Sequence, residues 1–357
     1  MKKHALAGLA LVAATAHAQS SVTLYGIMDT GVAYYNHAAG GGSSFGMPSI
    51  TGELPSRFGL KGSEDLGGGL KALFNLESGF APDTGVLGYG GRLMGRTATV
   101  GMSSAYGTVL LGRQFNMTYN TLGYADIIGP SLHSFANFDP YLANARSDNS
   151  IAYTGKFGGL TVGATYSFGR DAAGPAGPSA TNCGGQVPGD YLACKQFTGM
   201  LAYEGANFGV AGSYDQMRGG KGASAPLTSS AFTDTHTVVD AYYRFAQAKV
   251  GLGWVHRIVE AAAASMRSDL YFGGINYMPA PQWSLDAQAS HYIAHGISNA
   301  TLVAARATYL LSKSTFIYAL AGYMVNSRTS AVSVAAGGTV EPGENQTGVM
   351  LGIQHRF

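Results

Sequence analysis

The sequence has little charge, only two cysteines and no long apolar run beyond its first residues. Charged residues make up 12% of the 357 residues, against roughly 25% in soluble domains. No stretch of 18 apolar residues follows residue 18, and mean hydropathy is only +0.07, which excludes a helical membrane protein. Glycine, with 52 residues, is about twice as common as usual. A β-barrel fits this composition, because its strands carry apolar residues at every second position only.

The beginning of the chain has the pattern of a secretory signal peptide. A basic start, MKK, precedes an apolar stretch at residues 5–14, and AHA at residues 16–18 matches a small-x-small cleavage site. The apolar stretch is too short for a spanning helix, which needs about 20 apolar residues. We therefore expect a Sec-type signal peptide over residues 1–18 and a mature chain, residues 19–357, that forms one domain.

The charge limits the possible partners, and the cysteine content indicates the cellular compartment. Loss of Lys2 and Lys3 with the signal peptide leaves 20 basic and 20 acidic residues, so no overall field attracts nucleic acid, and we expect no nucleic-acid partner. Cys183 and Cys194 lie in one Gly/Pro-rich stretch, where an oxidising compartment favours a loop disulfide. No further Cys or His lies nearby at metal-ligand spacing, and we expect neither a metal nor a cofactor.

Apolar and polar residues alternate in sixteen segments, which predict an all-β chain forming one antiparallel barrel. LTVGATYSF at residues 160–168 is among the cleanest examples, and short turns such as GGG at residues 67–69 join segments in pairs. A single-chain bacterial barrel requires an even number of strands. A soluble β-sandwich would also alternate, but it would carry more surface charge. The long Gly/Ser/Pro-rich connections, which should face the cell exterior, are residues 36–54, 81–92, 115–145, 170–195, 217–234 and 328–345.

The last ten residues form an alternating segment that ends on an aromatic side chain. GVMLGIQHRF places Val349, Leu351, Ile353 and Phe357 on one side, and glycine, glutamine and arginine residues on the other. Such a strand can face lipid on one side and water on the other. A final strand that pairs with the first also leaves no unpaired edge in hydrocarbon. We expect Phe357 to be an assembly signal and part of an aromatic girdle.

Several motifs occur in order along nearly the whole chain. They are SVTLYG at residues 21–26, SRFGLKGSEDLGGGLKA at 56–72, GRTATVG at 95–101, GTVLLGRQ at 107–114, RSDNSIAY at 146–153, and the terminal strand. In this order they resemble the motifs of Gram-negative general porins, most closely the trimeric porins of β-proteobacteria of the Burkholderiales and Neisseria type. The resemblance implies a sixteen-stranded transmembrane barrel in the cell outer membrane, whose third external loop, residues 115–145, folds inward and narrows the pore.

The resemblance also implies a function and a set of partners. The function is a water-filled channel for passive diffusion of small hydrophilic solutes and inorganic ions. The partners are two further copies in a homotrimer, outer-membrane lipid and lipopolysaccharide, and the barrel-assembly machinery during biogenesis. At the constriction of such porins, arginines on the wall face carboxylates on the loop. Arg57, Arg96 and Arg146 match the wall positions, and Asp126 matches a loop carboxylate.

The sequence departs from this pattern at two positions. A wall lysine that some relatives carry corresponds to Ile27, and a second loop carboxylate falls near residues 129–130, where the sequence is Gly-Pro. Asp139 is a candidate substitute for the missing acid. Because fewer carboxylates should leave the arginines less compensated, we expect a weak to moderate preference for anions.

The energetic cost of a charge that faces lipid supports a lumen-facing position of the arginines, independently of the resemblance. Arg57 alternates with Phe58 and Leu60, and a charge on the lipid face near the midplane would cost about 2–4 kcal/mol, so this arginine should face the lumen. Three guanidinium groups near one another would favour anions. Each arginine could instead form a surface salt bridge worth about 0–1 kcal/mol, without selectivity. For the three together we favour the selective role.

Two other functions use the same kind of barrel. A substrate-specific channel for phosphate or dicarboxylates would need the same arginines, and the sequence does not separate it from a general channel. An outer-membrane enzyme would need a nucleophile, a histidine and a carboxylate on one face. The chain has nine histidines, but none lies in a recognisable nucleophile motif such as Gly-x-Ser-x-Gly. We therefore expect no catalytic residues.

Overall fold

The computed structural model describes residues 21–172, 181–262 and 265–357. Within these residues seventeen strands form one sheet. The expected signal peptide lies outside the described residues and stays a prediction. The strands are β1 Ser21–Tyr35, β2 Ser44–Gly46, β3 Arg57–Gly67, β4 Leu70–Gly79, β5 Thr97–Ser104, β6 Gly107–Phe115, β7 Arg146–Phe157, β8 Leu160–Ser167, β9 Gln196–Glu204, β10 Phe208–Arg218, β11 Thr233–Phe245, β12 Ala248–Glu260, β13 Ser265–Ala280, β14 Trp283–Ala294, β15 Ser298–Leu310, β16 Thr315–Asn326 and β17 Gln346–Arg356.

The sheet closes on itself into a barrel of sixteen long strands. β1 pairs antiparallel with β3 on one side and with β17 on the other. At this seam the backbone N–H of Gly26 donates to the carbonyl of Phe357 at 2.9 Å. β2 is a three-residue strand within the first long connection and lies beside the end of β1. The predicted sixteen-stranded antiparallel barrel, closed by the terminal segment, is confirmed.

Two strands begin near the arginine motifs. β5 begins at Thr97, so that residues 93–96 separate it from the expected connection, and the carbonyl of Gly95 just before it accepts a hydrogen bond at 2.7 Å from the Arg113 side chain on β6. β7 begins at Arg146, directly after the expected connection, and Arg146 pairs with Phe115 in the β6–β7 ladder. Arg146 is therefore part of the barrel wall itself.

The outer and inner faces of the barrel differ in polarity. In β17, Val349, Leu351 and Ile353 are 45%, 70% and 46% exposed, whereas Met350 and Gln354 are buried. Other strands follow the same alternation, with large apolar side chains at the exposed positions and many polar side chains at the buried ones. An apolar outer band around a polar interior is the arrangement that a barrel in lipid requires.

Short helices lie in the long connections. α1 Gly88–Gly91 belongs to the β4–β5 connection, and α2 Met117–Leu122 and α3 Pro140–Asn144 belong to the β6–β7 connection. The side chains of Asn116 and Asp139 cap α2 and α3 by accepting hydrogen bonds from backbone N–H groups of the first turn. Within the described ranges, no helix has the length and apolar character needed to cross a membrane.

The largest apolar cluster lies between the β6–β7 connection and the inner face of the barrel. Leu122, Phe135 and Leu142 come from the connection and pack with buried residues of β11, β12 and β13, such as Val238 and Val255. Apolar burial of this kind stabilises a connection in one position. The connection is thereby packed against one side of the interior.

Candidate functional site

The β6–β7 connection, residues 116–145, is hereafter called the third connection. A buried carboxylate on β10, Asp215, accepts hydrogen bonds from the Asn116 side chain at 3.2 Å and from the Thr118 hydroxyl at 3.0 Å. The Tyr141 hydroxyl donates to the same carboxylate. One wall residue therefore joins the two ends of the connection.

A second attachment joins α3 to β11 and β12 through charge. Asp139 is 6% exposed and lies 2.9 Å from Arg257 and 3.0 Å from His236 Nε2. Arg257 forms a further ion pair with Asp234 at 2.7 Å. Burial raises the pKa of Asp139, but the charge of Arg257 and the hydrogen bond to His236 outweigh burial and hold that pKa well below its usual value. The carboxylate of Asp139 is therefore charged and is neutralised by the wall.

Asp126 lies at a third attachment, against β14 and β15. Its carboxylate accepts hydrogen bonds from the Gln288 side chain at 3.0 Å and from the Gly129 N–H at 3.1 Å. Arg306 donates to the nearby carbonyl of Ile128 at 2.9 Å. Burial raises the pKa of Asp126. The contacts of this carboxylate are thus with β14 and with its own connection.

Two of the predicted wall arginines share one carboxylate. Glu77 on β4 lies 2.6 Å from Arg96 Nε and 3.6 Å from Arg57 Nε. Arg96 is buried and also donates to the Tyr89 hydroxyl, while Arg57 donates to the Pro55 carbonyl at 3.1 Å. Two positive charges therefore meet one negative charge. Glu77 was not predicted from the sequence, although strand alternation places it on the same face of β4 as Asn75.

Arg146, the third predicted arginine, has no carboxylate partner among the described residues. It is 3% exposed, its Nε donates to the Arg96 carbonyl at 2.9 Å, and its Nη2 makes no hydrogen bond within the described part of the chain. The guanidinium lies 3.7 Å from the ring centroid of Phe115 and 5.0 Å from that of Tyr89. An aromatic face holds a cation without neutralising it. Arg146 therefore contributes an uncompensated positive charge.

Tyr89 lies between two of these arginines, with its hydroxyl accepting a hydrogen bond from Arg96 and its ring facing Arg146. Burial raises the pKa of the Tyr89 hydroxyl, but the charges of Arg96 and Arg146 outweigh burial and bring that pKa below its usual value. The structure thus brings the three predicted arginines together around α1 and the inner face of β3 to β7.

Two further arginines, which the sequence analysis missed, lie beside this group. Arg92 is 3.1 Å from Asp148 and 2.6 Å from Asp171, and Arg113 is 2.5 Å from Asp148. Arg113 and Asp148 belong to two of the motifs that carry the resemblance. Their contact depends on the β6–β7 register, which a local sequence pattern does not specify. Both arginines have carboxylate partners and so add less to the local potential than Arg146.

Open space lies on both sides of the third connection. A cavity of about 540 Å³ toward the long connections is lined by Tyr89, Arg92 and Arg113 and by parts of the third connection. A cavity of about 610 Å³ toward the short turns is lined by Lys61, by Phe115 and by threonines of β5 and β6. The interior therefore has room for small hydrophilic solutes beside Arg92 and Arg113 on one side and Lys61 on the other.

The remaining predicted residues lie apart from the arginine group. Cys183 is bonded to Cys194 within the β8–β9 connection. The side chain of Phe357 is 56% exposed at the end of the barrel wall. In the part of the chain that the structure describes, no group of three or more His, Cys, Asp and Glu side chains is arranged to hold a metal ion.

A closed sixteen-stranded barrel with an apolar exterior, charged interior walls and open internal space defines an outer-membrane channel protein. The chain belongs to the Gram-negative porin family, whose sequence profile matches residues 5–329. The resemblance seen in the sequence motifs is thereby confirmed. The protein is an outer-membrane porin, and its family is non-enzymatic.

Individual relatives cover most of the chain. Outer membrane porin protein 32 of Delftia acidovorans is 32% identical over 99% of this chain and 100% of that protein. An outer membrane porin protein of Bordetella pertussis is 35% identical over 78% of this chain and 72% of that protein. The solved structure of an anion-selective porin from Comamonas acidovorans is similar with a TM-score of 0.77 and 27% identity, covering 95% of this chain and 100% of that one.

Proposed function

We propose that this porin is a general diffusion channel with a weak to moderate preference for anions. Arg146 carries the proposal, because its buried guanidinium lies on Phe115 without a carboxylate partner in the described residues. Arg57 and Arg96 share the single carboxylate of Glu77, so the three arginines outnumber their counterions. A positive site beside a water-filled path favours anions. In this proposal the third connection narrows the path at the arginines.

The similarity to a solved porin supports the same preference. That porin, from Comamonas acidovorans, is described as anion-selective, and it is 27% identical to this chain. Because selectivity depends on individual charged side chains, the similarity supports the direction of the preference and not its size. The magnitude has to come from measurement.

We infer a changed role for the two acids on the third connection. Asp139 lies in an ion pair with Arg257, and Asp126 accepts hydrogen bonds from Gln288. In this proposal Asp139 is an attachment of the loop and not an open counter-charge, and Asp126 is directed to the wall beside it. With both acids engaged there, the arginines across the lumen keep their influence on passing anions.

Assembly and export follow the family pattern in this proposal. Porins are typically trimeric, and one solved structure of similar fold is a trimer form of OmpT from Vibrio cholerae. We propose a homotrimer in contact with outer-membrane lipid and lipopolysaccharide. Export by a signal peptide ending at residue 18 and recognition of Phe357 by the barrel-assembly machinery complete the proposal.

A substrate-specific channel for phosphate or dicarboxylates is a second candidate function. The cavity of about 540 Å³ favours it, because the cavity has room for one small organic anion and has Arg92 and Arg113 in its lining. Saturable block of the chloride current by one such anion at low concentration would support this specific function. A current that rises in proportion to concentration for many anions would support the general channel.

Planar-bilayer recordings of the purified protein test the proposal. We expect conductance to rise in groups of three steps, and we expect the zero-current potential in a KCl gradient to have the sign of anion preference. Clear cation selectivity would contradict the proposed preference, and steps that never group in threes would contradict the trimer. Lipid hydrolysis without conductance would favour an enzyme instead.

A further inference from the structure

A cluster of cationic side chains lies on the inner face of β11 and β12, near the short turn that joins them. Arg244 and Lys249 stand opposite each other in the β11–β12 ladder. Arg244 Cζ is 4.4 Å and Lys249 Nζ is 4.7 Å from the ring centroid of Tyr242. Tyr242 is buried, whereas Arg244 is exposed. The two cations therefore meet at one aromatic ring on an accessible part of the wall.

Neither cation forms an ion pair with a carboxylate of the described residues. Glu204, which accepts a hydrogen bond from the Tyr242 hydroxyl at 3.1 Å, is already paired with Lys156 at 2.9 Å. Arg244 donates through Nη1 to the Tyr242 hydroxyl at 3.1 Å. Its other guanidinium N–H groups make no side-chain hydrogen bond within the described ranges. Several donors of Arg244 and the ammonium of Lys249 are thus available to a ligand.

The cluster is adjacent to the third connection on the side of the short turns. The ring of Tyr124, from the connection, lies 6.2 Å from the ring of Tyr242. The Ala125 carbonyl approaches Gly251 of β12 so closely that a Cβ there would collide with it. Short turns of such barrels face the periplasm. A solute that has passed the third connection therefore meets Arg244 and Lys249 on its way to the periplasm.

We propose that Arg244, Lys249 and Tyr242 form a periplasmic anion-binding subsite for small oxyanions with two negative charges. A guanidinium binds two oxygens of a phosphate or carboxylate group at once, and an ammonium supplies the second charge. The ring of Tyr242 orients both cations. The subsite rests on the proposed passage of anions through the lumen, and it deepens that function by adding a second site beyond the arginine group.

Inhibition of the chloride current by inorganic phosphate tests the subsite. In planar bilayers with the full-length porin at mildly alkaline pH, phosphate should lower the wild-type chloride current in a saturable way. Arg244→Gln combined with Lys249→Gln should raise the half-inhibiting phosphate concentration by roughly two- to fivefold, the range expected for loss of exposed ion pairs. Lys249→Arg keeps the charge and should keep the inhibition.

Lys71→Gln combined with Lys313→Gln is the matched control, because it removes two cations beside other short turns. If this control weakens inhibition as much as the Arg244 and Lys249 variant does, the overall charge of the rim and not a subsite is responsible. Unchanged inhibition in the Arg244 and Lys249 variant would also overturn the subsite. The zero-current potential is read separately: cation preference in the wild type would contradict the proposed function, whichever way the phosphate result falls.

Discussion

Arginines on two sides of the barrel interior have different surroundings. On β12, Arg257 contacts two carboxylates, Asp139 at 2.9 Å and Asp234 at 2.7 Å. On β7, Arg146 has no carboxylate partner within the described residues and lies 3.7 Å from the centroid of the Phe115 ring. Arg257 thus attaches the third connection to the wall, whereas in the proposed function Arg146 leaves its charge to act on the lumen. We call the side with Arg257 and Arg306 the anchoring wall. The side with Arg57, Arg96 and Arg146 is the basic wall.

The two walls differ in the number of carboxylates available to each arginine. On the anchoring wall Arg306 also has a carboxylate of its own, Asp286 at 2.8 Å. On the basic wall Arg57 and Arg96 share Glu77. A buried ion pair resists separation because each partner would otherwise lose its counterion. Arginines that are short of counterions instead create a positive potential in nearby water.

Arg257→Ala should break the anchoring wall and have the largest effect of the changes considered. The substitution leaves Asp139 and Asp234 without their guanidinium partner, and loss of one member of a buried pair costs about 3–5 kcal/mol. We expect a lower urea midpoint of unfolding in lipid vesicles and noisier single-channel currents. Arg328→Ala, at an exposed position of the β16–β17 connection, is the control. Equal midpoints for the two variants would contradict the anchoring role.

Glu77→Gln should sharpen the basic wall. It removes the counterion that Arg57 and Arg96 share while keeping the size of the side chain. We expect the chloride-to-potassium permeability ratio to rise by roughly two- to fivefold, because removing one charge near a water-filled path changes the energy of a passing ion by about 0.5–1 kcal/mol. Glu341→Gln, an exposed change of the same charge in the β16–β17 connection, should leave the ratio unchanged. A lower ratio in Glu77→Gln would show that the arginines do not set the preference.

The stability that the anchoring wall contributes should be lost only well below neutral pH. Despite burial, Arg257 and His236 hold the pKa of Asp139 below its usual value. Its stabilising contribution is therefore present above the unfolded-state pKa of about 3.9 and is lost as pH falls through the lower pKa of the folded protein. The urea midpoint of the wild type should exceed that of Asp139→Asn from neutral pH to about pH 5, and the difference should shrink below about pH 4. A difference already absent at about pH 5 would argue against the ion pair.

Cys183→Ser combined with Cys194→Ser should have the smallest effect on selectivity. The disulfide touches the basic wall only indirectly, through Asp171, whose backbone pairs with that of Cys183 and whose side chain holds Arg92. We expect a smaller change in permeability ratio than for Glu77→Gln, together with faster proteolysis of the β8–β9 connection. A change in ratio as large as that of Glu77→Gln would mean that the disulfide positions the basic wall.

Alternation was sufficient to predict the sixteen strands and the closing terminal segment. Lipid-facing and lumen-facing residues alternate with a period of two, and this difference is visible in the sequence wherever one face is covered and the other is not. Residues 146–148 at the start of β7 are all buried, so exposure does not alternate there. Where both faces are covered, the pattern that marks a strand disappears.

The positions of the arginines could be predicted, but the distribution of their counterions could not. Glu77 meets Arg96 because the β4–β5 register places Glu77 opposite Thr97. Asp139 carries a local signal, since an aspartate before a proline is typical of a helix start, and it does cap α3. Its ion pair with Arg257 joins distant parts of the chain. Register and long-range contacts decide these pairings, and no local pattern encodes them.

The most direct test measures the zero-current potential across a KCl gradient for the wild type and for Arg146→Gln in identical bilayers. The comparison tests whether the unpaired arginine sets selectivity. Glutamine removes the charge of Arg146 without leaving any carboxylate of the described residues unpaired. We expect anion preference in the wild type and a chloride-to-potassium permeability ratio lower by roughly two- to fivefold in the variant. Identical potentials for the two proteins, or cation preference in the wild type, would contradict the role assigned to the basic wall.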